Sequence, residues 1–434
     1  MVSARYPWDL GLIDMSETDV LADTTPENLP LFSELGLLES IVQAVEEKGY
    51  THPTPIQARA IPILLSGGDI IGGSQTGTGK TAAFALPILS MLEKHDGKKG
   101  TRALILEPTR ELALQVFEQL EMYGKHLDLN VALLYGGVKY GKQKDALAAG
   151  ADIIVATPGR LLDHIGQRTV NLKHLEILVL DEADRMLDMG FLPDVTKILD
   201  RCPSKRQSLL FSATIPSAIE RLSKRMLKDP TQIKIGGGRQ PAETISHAIY
   251  PVDERQKFDL LVAILKHVDY QSVLIFSRTK MGADTIARWL DNTGHGPVGV
   301  LHADRTQRER EMTLKAFRDG SCQIMVATDI VARGIDISGV SHVINYDIPQ
   351  HAEDYVHRIG RTGRAKQEGD AVTIYTAGEI DFLRAIERFI GREIERKKLE
   401  GFDYAWSPVL DEGKPKKKKR NRGFTNSPTR RFPR

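Results

Sequence analysis

The chain has 434 residues, 41% apolar and 27% charged, with a formal net charge of +2. That length can bury two separate cores, and the composition is that of a soluble globular protein, not a fibrous, collagenous or membrane-embedded one. The charge is uneven. Residues 413–434 hold five Lys and five Arg with no acid, leaving 49 basic against 57 acidic residues elsewhere, a balance of −8. No stretch approaches the length of a membrane span, and the start has no basic-then-apolar leader. Cys202 and Cys322 are far apart and have no Cys or His at metal spacing, so they read as small apolar residues in a reducing cytoplasm.

Along the chain, residues 1–28 are acidic and without periodicity, and are expected to form a disordered extension. From Phe32 to about Ile235, short apolar runs alternate with helical patterns. Strands are expected at 69–73, 103–107, 131–135, 152–156, 177–180 and 208–211, and helices at 39–48, 80–95, 110–124 and 141–149. Gly236-Gly237-Gly238-Arg239-Gln240-Pro241 breaks the pattern and reads as a linker. Strands then resume near 273–276, 298–301, 323–327, 342–346 and 371–375. Helices are expected at 257–267, 280–291, 306–318, 352–358 and 379–389. Such alternation implies an α/β fold with parallel sheets covered on both faces. The expected domains are 29–235 and 244–405, joined by a linker at 236–243 and followed by a basic disordered tail at 406–434.

Two segments carry the first chemical signal. Ser74-Gln75-Thr76-Gly77-Thr78-Gly79-Lys80-Thr81 follows the apolar Ile70-Ile71 and precedes a helix. Glycines there let successive N–H groups converge on one anion at the positive end of the helix. Lys80 suits the β- and γ-phosphates of a nucleotide, and the Thr81 hydroxyl suits Mg²⁺. The usual pattern opens on Gly where this chain has Ser74, and a Gly-rich turn is also an ordinary connection. Asp181-Glu182-Ala183-Asp184 follows Ile177-Leu178-Val179-Leu180. Asp181 at a strand end can hold Mg²⁺ and Glu182 can orient or deprotonate water. Acids at that place also cap a helix. The loop and the acids together favour hydrolysis of a nucleoside triphosphate.

Further segments, in order, resemble the DEAD-box RNA helicases of superfamily 2 over roughly residues 32–400. Gly49-Tyr50-Thr51-His52-Pro53-Thr54-Pro55-Ile56-Gln57 resembles the family's adenine-recognition segment, with Phe32 at its upstream aromatic position. An aromatic face stacks on a purine and a Gln amide pairs with adenine's edge; ordinary packing is the other reading of Tyr50. Ser212-Ala213-Thr214 resembles the segment coupling hydrolysis to domain closure. Pro108-Thr109-Arg110-Glu111-Leu112, Gly136-Gly137 and Thr157-Pro158-Gly159-Arg160 resemble its RNA-contacting loops, where hydroxyls, N–H groups and guanidinium suit phosphate and sugar oxygens. So do Ile275-Phe276-Ser277-Arg278, Gln307-Arg308-Glu309-Arg310 and the stretch from Ala327-Thr328 onward, which would place Asp336 near the ATP ribose. In His357-Arg358-Ile359-Gly360-Arg361-Thr362-Gly363-Arg364 the resemblance makes Arg361 and Arg364 arginine fingers on the γ-phosphate, with His357 in the coupling role. His302-Ala303-Asp304 departs from the family, which has Gly at the middle place. Asp184-Arg185-Met186-Leu187-Asp188-Met189-Gly190-Phe191 is worded like the bacterial RhlE-like subgroup.

The resemblance implies two tandem RecA-like domains and ATP with Mg²⁺ as cofactors. It further implies a cytoplasmic RNA-dependent ATPase that separates or remodels short RNA structures with little sequence preference. ATP would sit on the first domain and be completed by the second, so hydrolysis would require closure. A nucleotide-gated RNA clamp and a DNA-directed ATPase are the rival readings.

Overall fold

Four-residue apolar runs make short buried strands, and the segments between them supply helices to both faces of each sheet. In the computed structural model the described residues are 29–73, 79–93, 100–234, 244–329, 337, 339–363, 368–406 and 409. The expected extension 1–28, the linker 236–243 and all of the tail but Trp406 and Val409 lie outside them. The chain divides into two compact units whose border falls at Gly238–Arg239.

The first unit runs through α1 (Glu39–Glu46), α2 (Pro55–Leu65), β1 (Ile70–Gly73), α3 (Lys80–Leu92), β2 (Ala103–Leu106), α4 (Arg110–Tyr123), β3 (Val131–Leu134) and α5 (Gly141–Ala148). It continues with β4 (Ile153–Ala156), α6 (Pro158–Gly166), β5 (Ile177–Leu180), α7 (Ala183–Asp188), α8 (Leu192–Leu199), β6 (Gln207–Phe211), α9 (Ser217–Met226) and β7 (Thr231–Lys234). Among the described residues these strands form one seven-stranded parallel sheet, ordered β3-β4-β2-β5-β6-β1-β7. Alternation along the strands splits the core in two. Ala103, Ile105, Ile177, Val179 and Phe211 join Phe84 and Ile88 of α3 in one cluster. Leu104, Leu106, Leu178, Leu180 and Leu210 join Ile198 and Ile219 in the other.

The second unit contains β8 (Ile245–Pro251), α10 (Lys257–His267), β9 (Val273–Phe276), α11 (Lys280–Asn292), β10 (Val298–Leu301), α12 (Gln307–Arg318) and β11 (Ile324–Ala327). Then come β12 (His342–Asn345), α13 (Ala352–Ile359), β13 (Gly369–Tyr375), α14 (Ile380–Ile390) and β14 (Glu395–Arg396). Its described strands also form a seven-stranded parallel sheet, ordered β10-β11-β9-β12-β13-β8-β14. A covered parallel sheet presents its strand carboxyl ends as the place for ligands.

The expected strands and helices are present, and the structure adds others. Helix α2 starts on Pro55 and contains Pro62, which hides its period; a Thr54–Gln57 capping box and buried Ile56, Ala60, Ile61 and Leu64 hold it. Helix α6 opens on Pro158-Gly159, which reads as a turn in sequence, and α7 is too short for a period to show. No helix among the described residues is long and apolar enough to cross a membrane. Cys322 is buried and Cys202 half-buried, both as free thiols.

Asp69 fixes the strand β1 that leads toward residues 74–81. Its buried carboxylate accepts from the N–H groups of Ser208, at 2.8 Å, and Lys228, at 2.7 Å, tying β1 to the chain entering β6 and β7. Asp69→Ala strips a charged acceptor from two N–H groups and should cost about 2–4 kcal/mol. Asp69→Asn keeps one acceptor oxygen and should cost less. The midpoints of urea unfolding for the two variants check this order, and equal midpoints with wild type would contradict it.

Candidate functional site

The first unit gathers its charge at the ends of β5 and β2 and at the start of α3. Gly79 caps α3 with φ +89°, so Lys80 begins the helix and turns inward, buried. Its Nζ lies 3.8 Å from Asp181 Oδ1, and the Glu182 N–H donates to the same oxygen at 2.8 Å. Burial alone would lower the Lys80 ammonium, but Asp181, Glu182, Asp184 and Glu107 outweigh it and hold its pKa above the ordinary value. Burial pushes the Asp181 carboxyl up to about 6 against the pull of Lys80. Thr81 is half-buried one residue further along α3.

Glu182 has a left-handed backbone, φ +48°, a conformation that costs a non-glycine residue about 1–3 kcal/mol and clusters at functional sites. Its carboxylate is held at 3.1 Å by the Arg185 guanidinium. Asp184 reaches the next strand end instead. It accepts from the Thr214 N–H at 2.8 Å and hydroxyl at 3.1 Å, while its own N–H donates to the Ser212 hydroxyl at 3.0 Å. Ser212 and Thr214 are thereby bonded directly to the acidic segment.

The segment at 49–57 reaches the same place through Gln57. Its amide donates to the Gly79 carbonyl at 3.0 Å and accepts from the Thr54 N–H at 2.9 Å. A Cβ at residue 79 would sit 2.4 Å from that amide nitrogen, so only Gly fits both the turn and the contact. Tyr50 is 53% exposed, whereas Phe32 is packed into the core at 4%. The ring open to a ligand is therefore Tyr50.

The expected RNA-contacting loops leave the neighbouring strand ends β2, β4 and β3. Thr109 caps α4, accepting from the Leu112 N–H at 3.4 Å, beside buried Pro108. The Arg110 guanidinium lies across Gly136 and Gly137, where a Cβ on Gly137 would meet its NH1 at 2.2 Å. Arg160 is not outward. Its guanidinium is buried 4.1 Å from the Tyr140 ring centroid and donates to Gln143 Oε1 at 3.3 Å and the Val138 carbonyl at 3.1 Å. It holds the 136–140 loop and the start of α5 against α6, whose N-cap, Thr157, is buried.

In the second unit, Arg278, Thr328 and Asp329 also follow strand ends. The Arg278 NH2 donates to Glu379 Oε1 at 2.6 Å, and its backbone N–H to Asp347 Oδ2 at 2.8 Å. Buried Lys257 joins both acids at 3.0 and 3.1 Å. Arg358 is the hub: its fork meets both Asp329 oxygens at 2.6 Å, and its NH1 donates to Asn345 Oδ1 at 3.1 Å and the Asp347 carbonyl at 2.6 Å. Gln307, Arg310, Thr328 and Arg361 are buried, and His357 is half-buried. Ser74, Gln75, Thr76, Gly77, Thr78, Asp336 and Arg364 lie outside the described residues.

The family model for DEAD/DEAH box helicases matches residues 54–222, and that for the helicase conserved C-terminal domain matches 256–366. The DEAD-box ATP-dependent RNA helicase CshA of Bacillus cereus is 45% identical over 381 residues, covering 88% of this chain and 70% of that protein. The ATP-dependent RNA helicase CshA of Listeria monocytogenes is 46% identical over 382 residues, covering 87% and 72%. The chain belongs to the DEAD-box ATP-dependent RNA helicases. It is an RNA-stimulated ATPase that uses ATP to unwind or remodel RNA. Among solved structures, S. cerevisiae Dbp5 bound to RNA and ADP BeF3 superposes with a TM-score of 0.76 at 33% identity, covering 85% and 95% of the two chains. Mss116p bound to ssRNA and AMP-PNP gives 0.79 at 27% identity, covering 88% and 82%. These neighbours accord with tandem RecA-like units. The RhlE-like subgroup stays a likeness of wording.

In this helicase, sequence reading left Asp184, Arg185, Glu107 and Arg358 without roles, although all but Glu107 sit in acidic or arginine-rich segments singled out by their residues. Their signal is mutual position, which strand-end adjacency supplies and spacing does not. Arg358→Lys keeps the charge and loses the fork. It should destabilise the protein by about 2 kcal/mol or more and lower RNA-stimulated ATP turnover at least tenfold. Thermal melting and steady-state phosphate release check this; wild-type values in both would remove Arg358 from the hub.

Proposed function

We propose that Lys80 and the 74–78 loop cradle the β- and γ-phosphates of ATP, that Asp181 and Thr81 hold Mg²⁺, and that Glu182 handles the attacking water. Tyr50 and Gln57 read the adenine. Arg361 and Arg364 neutralise γ-phosphate charge, and Asp336 meets the ribose. The observation that carries this reading is the enclosure of Lys80 by Asp181, Glu182 and Asp184 at one helix start. The residues fit Mg²⁺, a hard cation that is typically held by one or two carboxylates plus substrate phosphates. The donors are all oxygens, and the nearby Glu107 carboxylate has no hydrogen-bond partner. Among the described residues no group of three or more His, Cys, Asp or Glu forms a site by itself. When bound, the ion neutralises charge on the phosphates.

On this reading 29–235 and 244–405 act as two domains that close around ATP and RNA in the cytoplasm. Ser212, Thr214 and His357 couple closure to the ATP site. Pro108, Thr109, Arg110, Gly137, Thr157, Arg278, Gln307, Arg310 and Thr328 border the RNA backbone, while Arg160 positions its loop. Single strands and short duplexes are bound through phosphates and 2′-hydroxyls, with little base readout. Bending one strand breaks a few base steps; at about 1.4 kcal/mol per step, two or three cost roughly 3–4 kcal/mol, within reach of ligand-driven closure. Local separation follows, not long travel along the strand.

The decisive experiment compares ATP turnover stimulated by RNA and by DNA of the same sequence. Stimulation by RNA alone is expected, and equal stimulation would defeat the 2′-hydroxyl reading. Glu182→Gln should lower turnover by at least a hundredfold while ATP and RNA still bind; wild-type hydrolysis would remove Glu182 from the chemistry.

The tail at 413–434 acts as an electrostatic tether for RNA. Each single-strand phosphate neutralised contributes about −0.7 to the slope of log affinity against log salt. Removing these residues should weaken binding of every RNA sequence and flatten that slope, leaving RNA-saturated turnover nearly unchanged. Fluorescence anisotropy over a salt series measures it, and an unchanged slope would show that the tail does not carry RNA.

A further inference from the structure

Glu107 is the acid beside this site that no step above uses. It follows β2 directly, and the register pairs Leu106 of β2 with Leu180 of β5, so Glu107 and Asp181 lie side by side at adjacent strand ends. Backbone bonds fix both: the Asp181 N–H donates to the Leu106 carbonyl at 3.1 Å, and the Glu107 N–H to the Ala156 carbonyl at 2.9 Å. Parallel neighbours of this kind stand about 4.8 Å apart. Ala103, Ile105, Ile177 and Val179 face the cluster containing α3. Continuing that alternation puts Glu107 and Asp181 on the face where Lys80 lies.

The Glu107 side chain is fully enclosed, and neither carboxylate oxygen has a hydrogen-bond partner. A buried carboxylate without a partner is costly and calls for an explanation. Four acids, Glu107, Asp181, Glu182 and Asp184, share two cations, Lys80 and Arg185. The cluster is short of positive charge.

We propose that Glu107 is a positioning residue for the nucleotide-bound Mg²⁺, accepting hydrogen bonds from water on the ion beside Asp181. Mg²⁺ gives up its water reluctantly and keeps several molecules when bound. An acid adjacent to a metal-holding carboxylate, with both oxygens unused, can receive them. Residues of this kind set metal affinity without touching the ion. The inference rests on the metal reading of Asp181 given above.

The test measures binding of a fluorescent ADP analogue to the full chain across a Mg²⁺ series, for wild type, Glu107→Gln, Glu107→Ala and Asp181→Asn. Glu107→Gln and Glu107→Ala should raise the Mg²⁺ concentration that half-saturates the tightening of ADP by about tenfold. Their ADP affinity in the presence of a chelator should not fall. The nucleotide-free melting temperature of Glu107→Gln should not fall, because that change keeps the packing, loses no hydrogen bond and removes a costly buried charge. A displaced Mg²⁺ midpoint for Asp181→Asn with wild-type midpoints for both Glu107 variants overturns this proposal and leaves the metal reading intact. Unmoved midpoints for all three variants overturn both. Collapse of the nucleotide-free protein in both Glu107 variants makes Glu107 a structural residue and likewise overturns the proposal.

Discussion

A lysine ammonium enclosed at the first turn of a helix, facing more carboxylate than it can neutralise, is the constraint on which the first unit is built. Burial disfavours Lys80 as a cation, and the acids around it reverse that preference. Burial raises the Asp181 carboxyl in turn, with Glu182 and Asp184 adding to it against the pull of Lys80. Each neighbouring feature serves this arrangement. The left-handed Gly79 aims the helix start, Gln57 grips the Gly79 carbonyl, and the Arg185 guanidinium steadies Glu182. A polyphosphate brought here adds further negative charge, so its affinity calls for cations beyond the lysine.

The sheet distributes labour along its carboxyl edge. Strands β3, β4 and β2 lead into the loops at 136–137, 157–160 and 108–110, and β5, β6 and β1 lead into the acids, the Ser212–Thr214 segment and residues 74–78. On the proposed assignment, RNA-facing and ATP-facing groups occupy two halves of one row. Asp184 ties the ends of β5 and β6 by three hydrogen bonds. Displacing Asp184 would take from Thr214 the acceptor of both its N–H and its hydroxyl.

Much of this was legible in residue order. A strand at Ile70–Gly73 and a helix opening on Lys80 follow from apolar runs and turn chemistry, and Asp181 falls at a strand end for the same reason. What was illegible is direction. Arg160 reads as a cation for phosphate, yet its guanidinium lies buried against Tyr140 with carbonyl and amide partners. Phe32 reads as a stacking ring and packs into the core, while Tyr50 stays open. Arg358 sits between two more obvious arginines and proves to be the one that joins Asp329, Asn345 and Asp347. Neither its spacing nor its type distinguishes it; only the order β11-β9-β12 brings those three partners to one place.

The two units handle buried charge differently, and the contrast bears on how ligands act. In the second unit Lys257, Arg278 and Arg358 meet Asp347, Glu379 and Asp329 in close pairs, a network complete without ligand. In the first, Glu107 keeps two unused oxygens among an excess of acid. Satisfied networks rigidify, and under-satisfied ones respond to what binds. Glu107 also immediately precedes Pro108, Thr109 and Arg110, so the end of β2 turns an acid toward Asp181 and starts the loop proposed to meet RNA in the next residues. On the proposal that Glu107 holds water on the ion, a bound ion would restrain the backbone from which Arg110 departs. Binding free energies are reciprocal, so RNA that orders the same backbone strengthens nucleotide and ion in equal measure. On that proposal, coupling between the two ligands would begin within one strand end of the first unit.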